Sequence, residues 1–285
     1  RKKKGARLRS ARLAMACSFI SFGIVYSFFN LSALNSRITY YDRYENSWDV
    51  MVGIKAGKIG SISEIDQIRK ISHISDAVLY QEYEARREDL GIRAPILVMD
   101  DESFLSYAGS AGVKASLEGI LIVNQVRDAK AENFRERRFL PYFKEETAGE
   151  EAALCLENGE KSLYFPVQSF VYELPELRID YWSEEYLELV HIVPASLWES
   201  GAAAAPKTGK TMLRVLSNDS HIRAEGLSDE EKLPYAEAIE AQVGKILSEG
   251  GYEFESENRI QDQISSDAAL ELLRGGASAL CILLA

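Results

Sequence analysis

The sequence predicts an α+β protein in which a transmembrane helix carries a large extracytoplasmic domain. Three observations lead to this fold class. Residues 13–34 contain no charged side chain and follow a strongly basic leader. The patterns between residues 48 and 126 predict the order strand, helix, strand, strand, helix, strand. The sequence from residue 127 to about residue 210 favours strands and contains no clear long helix.

The basic leader and the uncharged stretch predict a membrane span with a cytoplasmic N-terminus. The first twelve residues include seven basic and no acidic side chains. A helix over residues 13–34 would be about 33 Å long, enough to cross a hydrocarbon core of about 30 Å. Because basic residues accumulate on the cytoplasmic side, the rest of the chain is expected outside the cell. A cleaved signal peptide is the alternative, although this apolar stretch is longer than the usual hydrophobic region.

The other end of the chain is also apolar. Residues 277–285 (ASALCILLA) predict the first turns of a second transmembrane helix, which would return the chain to the membrane. A C-terminal strand in the core of the domain is the alternative. Both apolar ends together favour a piece of a longer membrane protein.

Charge and cysteine content exclude two classes of protein for the body of the chain. The formal net charge is -11, and removing the seven basic residues of the leader leaves -18 on residues 13–285. A body this acidic repels phosphate backbones, so nucleic acid is not an expected partner. Cys17 and Cys281 fall in the apolar ends, which leaves Cys155 without a partner for a disulfide in the domain. The domain must therefore be held by its hydrophobic core.

The first half of the domain alternates strands and helices. A juxtamembrane linker rich in tyrosine precedes a strand over residues 48–54 (WDVMVGI), and Ser61 with Glu64 fits a capping box that starts a helix. Further elements are predicted as strands at 77–85, 94–100 and 119–126, a charged turn at 86–89 and a helix at 102–108. This order is typical of a split βαβ arrangement of the ferredoxin-like type.

The second half predicts a β-rich insert followed by a return to alternating elements. Strands are expected at 152–156, 163–172 and 188–194, and a loop at 201–209. A strand at 211–217, a helix at 228–249, a strand at 252–257 and a helix at 262–273 follow, and this last helix leads to the terminal apolar run.

Two sequence motifs imitate catalytic loops without their context. Residues 204–211 (AAPKTGKT) resemble a relaxed phosphate-binding loop, but a strand follows where that loop requires a helix. Ser110 lies in AGSAG, similar to a nucleophile elbow, yet it follows a helix and precedes a strand. His73, His191 and His221 are too widely spaced to predict a metal site. We therefore expect no enzyme activity and assign no catalytic, cofactor-binding or metal-binding residue.

Several segments resemble FtsX-like, or MacB-like, permease subunits of ABC transporters. They are the basic entry to the first span, the strand WDVMVGI, and ENRIQD (residues 257–262) before the final apolar run. GILIVNQVRD (119–128) and LVHIVPASLWE (189–199) are also similar to the outer domain of that family. The resemblance covers nearly the whole chain, and its motifs are diffuse.

The resemblance implies a domain organisation. Residues 1–12 would be a cytoplasmic basic segment and residues 13–34 a transmembrane helix. A porter-like α/β subdomain would comprise residues 35–126 and 211–262, with a β-rich insert at 127–210. Residues 263–285 would lead into the second transmembrane segment.

The resemblance also implies partners. A cytoplasmic ATP-binding subunit would dock just before the first span, near Arg7, Arg9 and Arg12, although these side chains are equally suited to anionic lipid. A second permease copy or half is expected as well. The alternative function, from a different class, is a membrane-anchored extracellular sensor or ligand-binding domain. A secreted enzyme is a third interpretation and would require cleavage near residue 34.

Overall fold

A computed structural model of the chain describes residues 12, 15, 17–18, 20–23, 25–26, 48–55, 59–127, 139–144, 149–156, 162–172, 189–201, 211–269 and 271. The chain divides into two compact units. One comprises Arg1–Asn46 with Gln261–Ala285, and the other, called the main unit below, comprises Ser47–Ile260. The main unit contains a large sheet and several helices, so the predicted α+β class is confirmed.

The helices and strands of the described residues follow the predicted order closely. The strands are β1 (Val50–Ile54), β2 (Ile74–Tyr83), β3 (Ala85–Arg87), β4 (Ile92–Arg93), β5 (Ile96–Met99), β6 (Ile120–Val123), β7 (Val126–Arg127), β8 (Phe139–Leu140), β9 (Glu151–Leu156), β10 (Ser162–Val171), β11 (His191–Pro194), β12 (Thr211–Ser217) and β13 (Phe254–Asn258). The helices are a 3-10 turn (Ile59–Ser61), α1 (Ile65–Arg69), α2 (Asp101–Ser110), α3 (Ala195–Gly201) and α4 (Asp229–Glu249). Residues 259–269 are helical as well.

Only a few positions of the predicted first span are described. Those between residues 12 and 26 are helical and exposed. Most of residues 13–34 and all of 277–285 lie outside the described residues. Within the described part of the chain, the structure has no helix both long and apolar enough to span a bilayer.

Four strands form a split βαβ arrangement. Two strand-helix-strand units, β1-α1-β2 and β12-α4-β13, interleave in the sheet order β13-β1-β12-β2. Every neighbouring pair among them is antiparallel. This is the ferredoxin-like order predicted from the sequence. However, the predicted strand at 119–126 is not its closing strand, because the second strand-helix-strand unit comes from residues 211–258.

The segment between β2 and β12 closes into a ring of strands. Only Glu84 separates β2 from β3, so the two form one long bent strand. The pairing runs from β2 through β5, β11, β6, β10 and β9 and then returns to β3. These strands, called the ring below, therefore enclose a small barrel-like core. Strands from 127–210 pair directly with strands from 35–126, and the domain boundaries proposed from the sequence stay predictions.

The core continues from the ring to the helix that follows β5. Helix α2 buries Phe104 and Ala108 completely or nearly so. Asp100 caps this helix, since its side chain accepts a hydrogen bond of 3.1 Å from the amide of Ser103. The core cluster there also contains Trp48, Tyr80, Leu97, Leu121 and Ile192. Close packing of this kind is the main source of stability for a domain that has no disulfide among its described residues.

The predicted capping box at Ser61 and Glu64 is wrong. Glu64 is itself the N-cap residue of α1, and its side chain makes no capping bond. Instead, one carboxylate oxygen accepts a bond of 2.6 Å from the Tyr252 hydroxyl. The Tyr252 hydroxyl thus takes the place of a local backbone amide as the partner of the Glu64 carboxylate. Helix α1 extends over five residues only.

The charged turn predicted at residues 86–89 is also partly wrong, because Arg86 and Arg87 belong to the β3–β4 hairpin.

A true capping box starts helix α4. The Ser228 hydroxyl accepts from the amide of Glu231 at 3.3 Å, and the Glu231 carboxylate accepts from the Ser228 amide at 2.8 Å. We expect Ser228→Ala to lower the free energy of unfolding by about 1 kcal/mol, because the Glu231 amide loses its hydrogen-bond partner. Urea unfolding followed by circular dichroism measures the change. Ser248→Ala, near the other end of the same helix, should stay within about 0.5 kcal/mol, and an equal loss in both variants would contradict the capping role.

Candidate functional site: a buried ion-pair clasp

The chain enters and leaves the main unit at the same place. Strand β1 is the first strand and β13 the last, and they pair with Val50 directly opposite Asn258. Asp49 precedes the first strand, and Arg259 follows the last. The Arg259 amide donates to the Asp49 carbonyl at 3.0 Å. The two connections of the main unit to the rest of the chain therefore start side by side.

The carboxylate of Asp49, which lies on the first connection, binds the second connection and a turn that lies between them in the sequence. It is completely buried. One oxygen accepts from Arg259 Nη2 at 3.0 Å. The other accepts from the Ser217 amide at 2.7 Å and from Arg223 Nη2. We call these four residues, Asp49, Ser217, Arg223 and Arg259, the Asp49 clasp.

The turn that follows β12 holds Arg223 in place. Its guanidinium donates from Nε to the Ser217 carbonyl at 2.8 Å. The Ser217 hydroxyl donates to the His73 carbonyl at 2.9 Å, which ties the turn to the start of β2. Asp219 accepts from the amide and the ring Nδ1 of His221 at 2.8 Å and 3.0 Å. Burial alone would raise the pKa of Asp219, but these bonds from His221 outweigh it and the pKa is lowered.

The clasp joins one negative and two positive charges. The side chain of Asp49 is 0% exposed, whereas those of Arg223 and Arg259 are 39% and 20% exposed. Taking a carboxylate out of water is costly unless it is paired and hydrogen bonded, and here three donors converge on it. Charge-assisted bonds of this kind are directional and about twice as strong as neutral ones. The clasp therefore fixes the relative positions of the two chain connections.

A second ion pair lies beside a shallow cavity. Arg69 Nη2 donates to Asp100 at 2.7 Å and to the Ser103 hydroxyl at 2.9 Å, while Nη1 donates to Glu102 at 2.7 Å. The open cavity next to them has a volume of about 260 Å³ and a mostly polar lining. Because the Arg69 guanidinium already has several protein partners, it offers little to a ligand.

The loop before β13 is tied to helix α1. The bond between the Tyr252 hydroxyl and the Glu64 carboxylate stabilises the neutral phenol and the ionised acid. It raises the pKa of Tyr252 to about 12 and lowers the pKa of Glu64. This contact connects the last strand-helix-strand unit to the first, on the chain segment that leads to Arg259.

Few of the residues considered from the sequence come together in the structure. Arg7 and Arg9 lie outside the described residues, and Arg12 is helical and exposed, so their predicted docking or lipid contact stays a prediction. Residue Thr211 begins β12, in agreement with a strand after the loop-like AAPKTGKT segment. Ser110 ends helix α2, in agreement with a turn at that point. Among the described residues, no group of three or more potential ligands is arranged to hold a metal ion.

The clasp was not predicted from the sequence. Asp49 lies in the strand segment WDVMVGI and Arg259 in ENRIQD, and both segments were noted for other reasons. An acidic residue at a strand start and a basic residue after the last strand are ordinary features of a surface. The signal that identifies them is the register of β1 on β13, which follows only from the interleaved topology.

Comparison with known proteins gives matches at the level of structure only. No family model and no curated protein matches the sequence. The chain is similar to the periplasmic region of MacB from Actinobacillus actinomycetemcomitans, with 12% identity and a TM-score of 0.37, over 79% of this chain and 96% of that chain. It is also similar to the extracellular domain of the noncanonic ABC-type transporter YknZ from Gram-positive bacteria. That match has 10% identity and a TM-score of 0.34, over 73% of this chain and 100% of that chain. The resemblance to a MacB-like outer region, inferred above from short sequence segments, is thus also found among solved structures.

Proposed function

We propose that the chain is part of a permease subunit of an ABC transporter of the FtsX-like or MacB-like type. In this proposal the main unit lies outside the cell and is moved by the two membrane segments to which it is connected. The chain itself hydrolyses no ATP. A separate cytoplasmic ATPase supplies the energy, and the movement of the main unit serves export or the transmission of force.

The observation that carries the proposal is the Asp49 clasp. A domain that is moved by two membrane helices needs its two connections joined to the same rigid element, since otherwise a shift of one helix is lost as local distortion. Here the first and last strands pair directly, and the buried carboxylate of Asp49, the residue before the first strand, binds Arg259, the residue after the last strand. This arrangement suits rigid-body movement driven from the membrane side.

The sequence supports the membrane side of the proposal. The basic leader orients the predicted first span, and Arg7, Arg9 and Arg12 are the residues nearest to a cytoplasmic partner. The two apolar ends flank the main unit in the sequence. A second permease copy or half completes the proposed assembly.

A ligand-binding or sensor function is the alternative, and the cavity beside Arg69 is the observation that bears on it. Its volume of about 260 Å³ is below the usual range for small-molecule sites, roughly 300 to 1,000 Å³. Its lining is polar, whereas such sites are mostly apolar with few polar groups. Among the described residues, this cavity therefore gives little support to the alternative.

Purification of the complete permease from its native membrane tests the proposed function. We expect an ABC-type ATP-binding subunit to copurify and the complex to hydrolyse ATP. The permease separated from that subunit should show no ATPase activity. ATP hydrolysis by the isolated permease, or a complete reading frame without a second membrane span, would contradict the proposal.

A further inference from the structure

Strand β13 is the last strand at one end of the large sheet, and among the described strands it pairs with β1 alone. Just before it, the amide of Lys55 donates to the Glu253 carbonyl at 2.8 Å. Along an antiparallel ladder, pairs that are hydrogen bonded alternate with pairs that are not. The backbone groups of Phe254 and Ser256 therefore point away from β1. We call this part of the strand the outer edge.

The outer edge is accessible to another chain. Within the described residues, no hydrogen bond reaches the outward amide or carbonyl of Phe254 or Ser256. Glu255, Ser256 and Glu257 are exposed in succession, although neighbouring side chains on a strand point to opposite faces. The strand can therefore be approached along both faces. An exposed strand edge with unpaired backbone groups is a template for a further strand.

The other end of the sheet is protected in a way that β13 is not. Strand β4 ends the sheet there, and it has only two residues, in a hairpin with β3. Such short edge strands offer little backbone to a partner. Strand β13 has five residues and contains neither a proline nor a bulge. Its acidic side chains are therefore the feature that controls which strands can pair with it.

The outer edge has negative charge on both of its faces. Glu255 and Glu257 lie on the face opposite to that of Ser256. On the face of Ser256, the Glu240 carboxylate of α4 accepts from the Ser256 hydroxyl at 2.6 Å and from Asn258 Nδ2 at 3.3 Å. Both donors are neutral, so they do not compensate the charge of this carboxylate. A strand that docks at the outer edge therefore meets carboxylates on both sides.

These charges disfavour a second copy of β13 as the partner. Two copies related by a two-fold axis would place Ser256 opposite Ser256, because this residue is at the centre of the strand. Glu255 of each copy would then lie directly opposite Glu257 of the other. Like charges in directly opposite positions destabilise a pair of strands. A strand with basic side chains at alternate positions changes this repulsion into attraction.

We propose that the outer edge of β13 docks an extended basic segment of a partner protein, which adds a strand to the sheet. Backbone bonds to Phe254 and Ser256 provide affinity, and lysine or arginine side chains beside Glu257 and Glu240 provide specificity. The formal net charge of -11 favours the same class of partner, because it attracts basic segments over a longer range. The proposal concerns binding alone and does not depend on the proposed transport function.

Calorimetric titration of the whole chain with synthetic peptides tests the proposal. The probe is a peptide of alternating lysine and valine. One control peptide has glutamate in place of lysine. In the other, two successive central amides of the lysine peptide are N-methylated, which keeps its charge and blocks both edges of the peptide strand. We expect the probe alone to bind, with an affinity that falls as the salt concentration rises. No binding of the probe would overturn the proposal, and so would equal binding of the N-methylated peptide, because charge alone would then explain the attraction.

Two substitutions at one position locate the binding site. Ser256→Pro removes an outward N–H and leaves the bonds to β1, since proline is tolerated on an edge strand where its nitrogen faces solvent. Ser256→Ala keeps that N–H and removes only the hydroxyl, so it is the matched control. We expect the proline variant to bind the lysine peptide about tenfold more weakly, and the alanine variant to bind it like the unchanged chain. Equal affinities of the two variants would overturn the proposal.

Two further measurements complete the test. Urea midpoints show whether the proline variant folds, and the N-methylated peptide tests the unchanged chain without any substitution. Sedimentation velocity of the chain alone examines the second copy as the occupant. We expect no self-association that depends on the outer edge. Self-association that Ser256→Pro abolishes would assign the outer edge to a second copy and would overturn the proposal.

Discussion

Asp49→Asn is expected to lower the free energy of unfolding of the main unit by about 3 kcal/mol. The change keeps the size of the side chain but removes its charge. Among the described residues, Asp49 is the carboxylate that Arg223 and Arg259 contact, and removing one partner of a buried ion pair typically costs about 3 to 5 kcal/mol. We expect the lower end of this range, because the two arginines keep 39% and 20% of their side-chain exposure and are partly solvated.

Urea unfolding followed by tryptophan fluorescence measures this loss, since Trp48 is buried next to Asp49. Asp66→Asn is the matched control. Its carboxylate is 3.9 Å from Arg69 and 67% exposed, and exposed pairs contribute less than about 1 kcal/mol. If the two variants lose the same free energy, Asp49 has no special role in the main unit.

The Asp49→Asn variant also tests whether the clasp transmits movement from the membrane segments to the main unit. If the proposed transporter function holds and the clasp joins the two chain connections, Asp49→Asn should leave ATP hydrolysis by the complete assembly largely intact and reduce transport. A disulfide between Met51→Cys and Glu257→Cys should then restore part of the transport, because these residues are direct partners on β1 and β13 and are not deeply buried. Partners opposite each other in an antiparallel pair lie within reach of a disulfide. Restoration in the oxidised but not the reduced protein would support the clasp, and failure in both would count against mechanical coupling.

The sequence predicts most individual helices and strands of this fold well, because the signals for a single element are local. The alternation in TMLRVLS places Leu213 and Val215 on a buried face, and both are 0% exposed. The helix after Ser228 follows from its cap and its apolar spacing. The split βαβ order was predicted correctly, but from residues 119–126 instead of 211–258. A strand pattern gives no information on which strand will be its neighbour.

Long-range pairing explains what the sequence could not predict. Asp49 and Arg259 are 210 residues apart, and their contact depends on the position of β13 at the edge of the sheet. By its sequence alone, Glu64 fits a local capping box with Ser61. In the structure its carboxylate instead accepts a hydrogen bond from the Tyr252 hydroxyl. The strand-rich sequence at residues 188–194 predicts a strand, yet it does not reveal that both faces of β11 are covered. Burial of His191 follows from the closure of the ring and not from its neighbours in the chain.

This burial gives the main unit a specific sensitivity to acid. Removal from water lowers the pKa of His191 from 6.5 to about 3, and the charge of Arg87 acts in the same direction. The folded state therefore takes up the proton less readily than the unfolded state between these two pH values. Stability is complete above about pH 6.5 and falls as the pH decreases towards 3, because the unfolded chain binds the extra proton.

We expect the free energy of unfolding to fall by about 2 kcal/mol between pH 7 and pH 5 through this one residue. Carboxylates contribute little in that interval, since they titrate mainly at lower pH. Urea midpoints of the whole chain at a series of pH values measure the change. His191→Gln removes the titrating ring but keeps an amide that can donate to the Leu189 carbonyl, so its stability should depend much less on pH over this range. His221→Gln is the matched control and should retain the dependence of the unchanged chain, because its ring is 52% exposed. A His191→Gln variant that loses as much stability as the unchanged chain between pH 7 and pH 5 would show that another group is responsible.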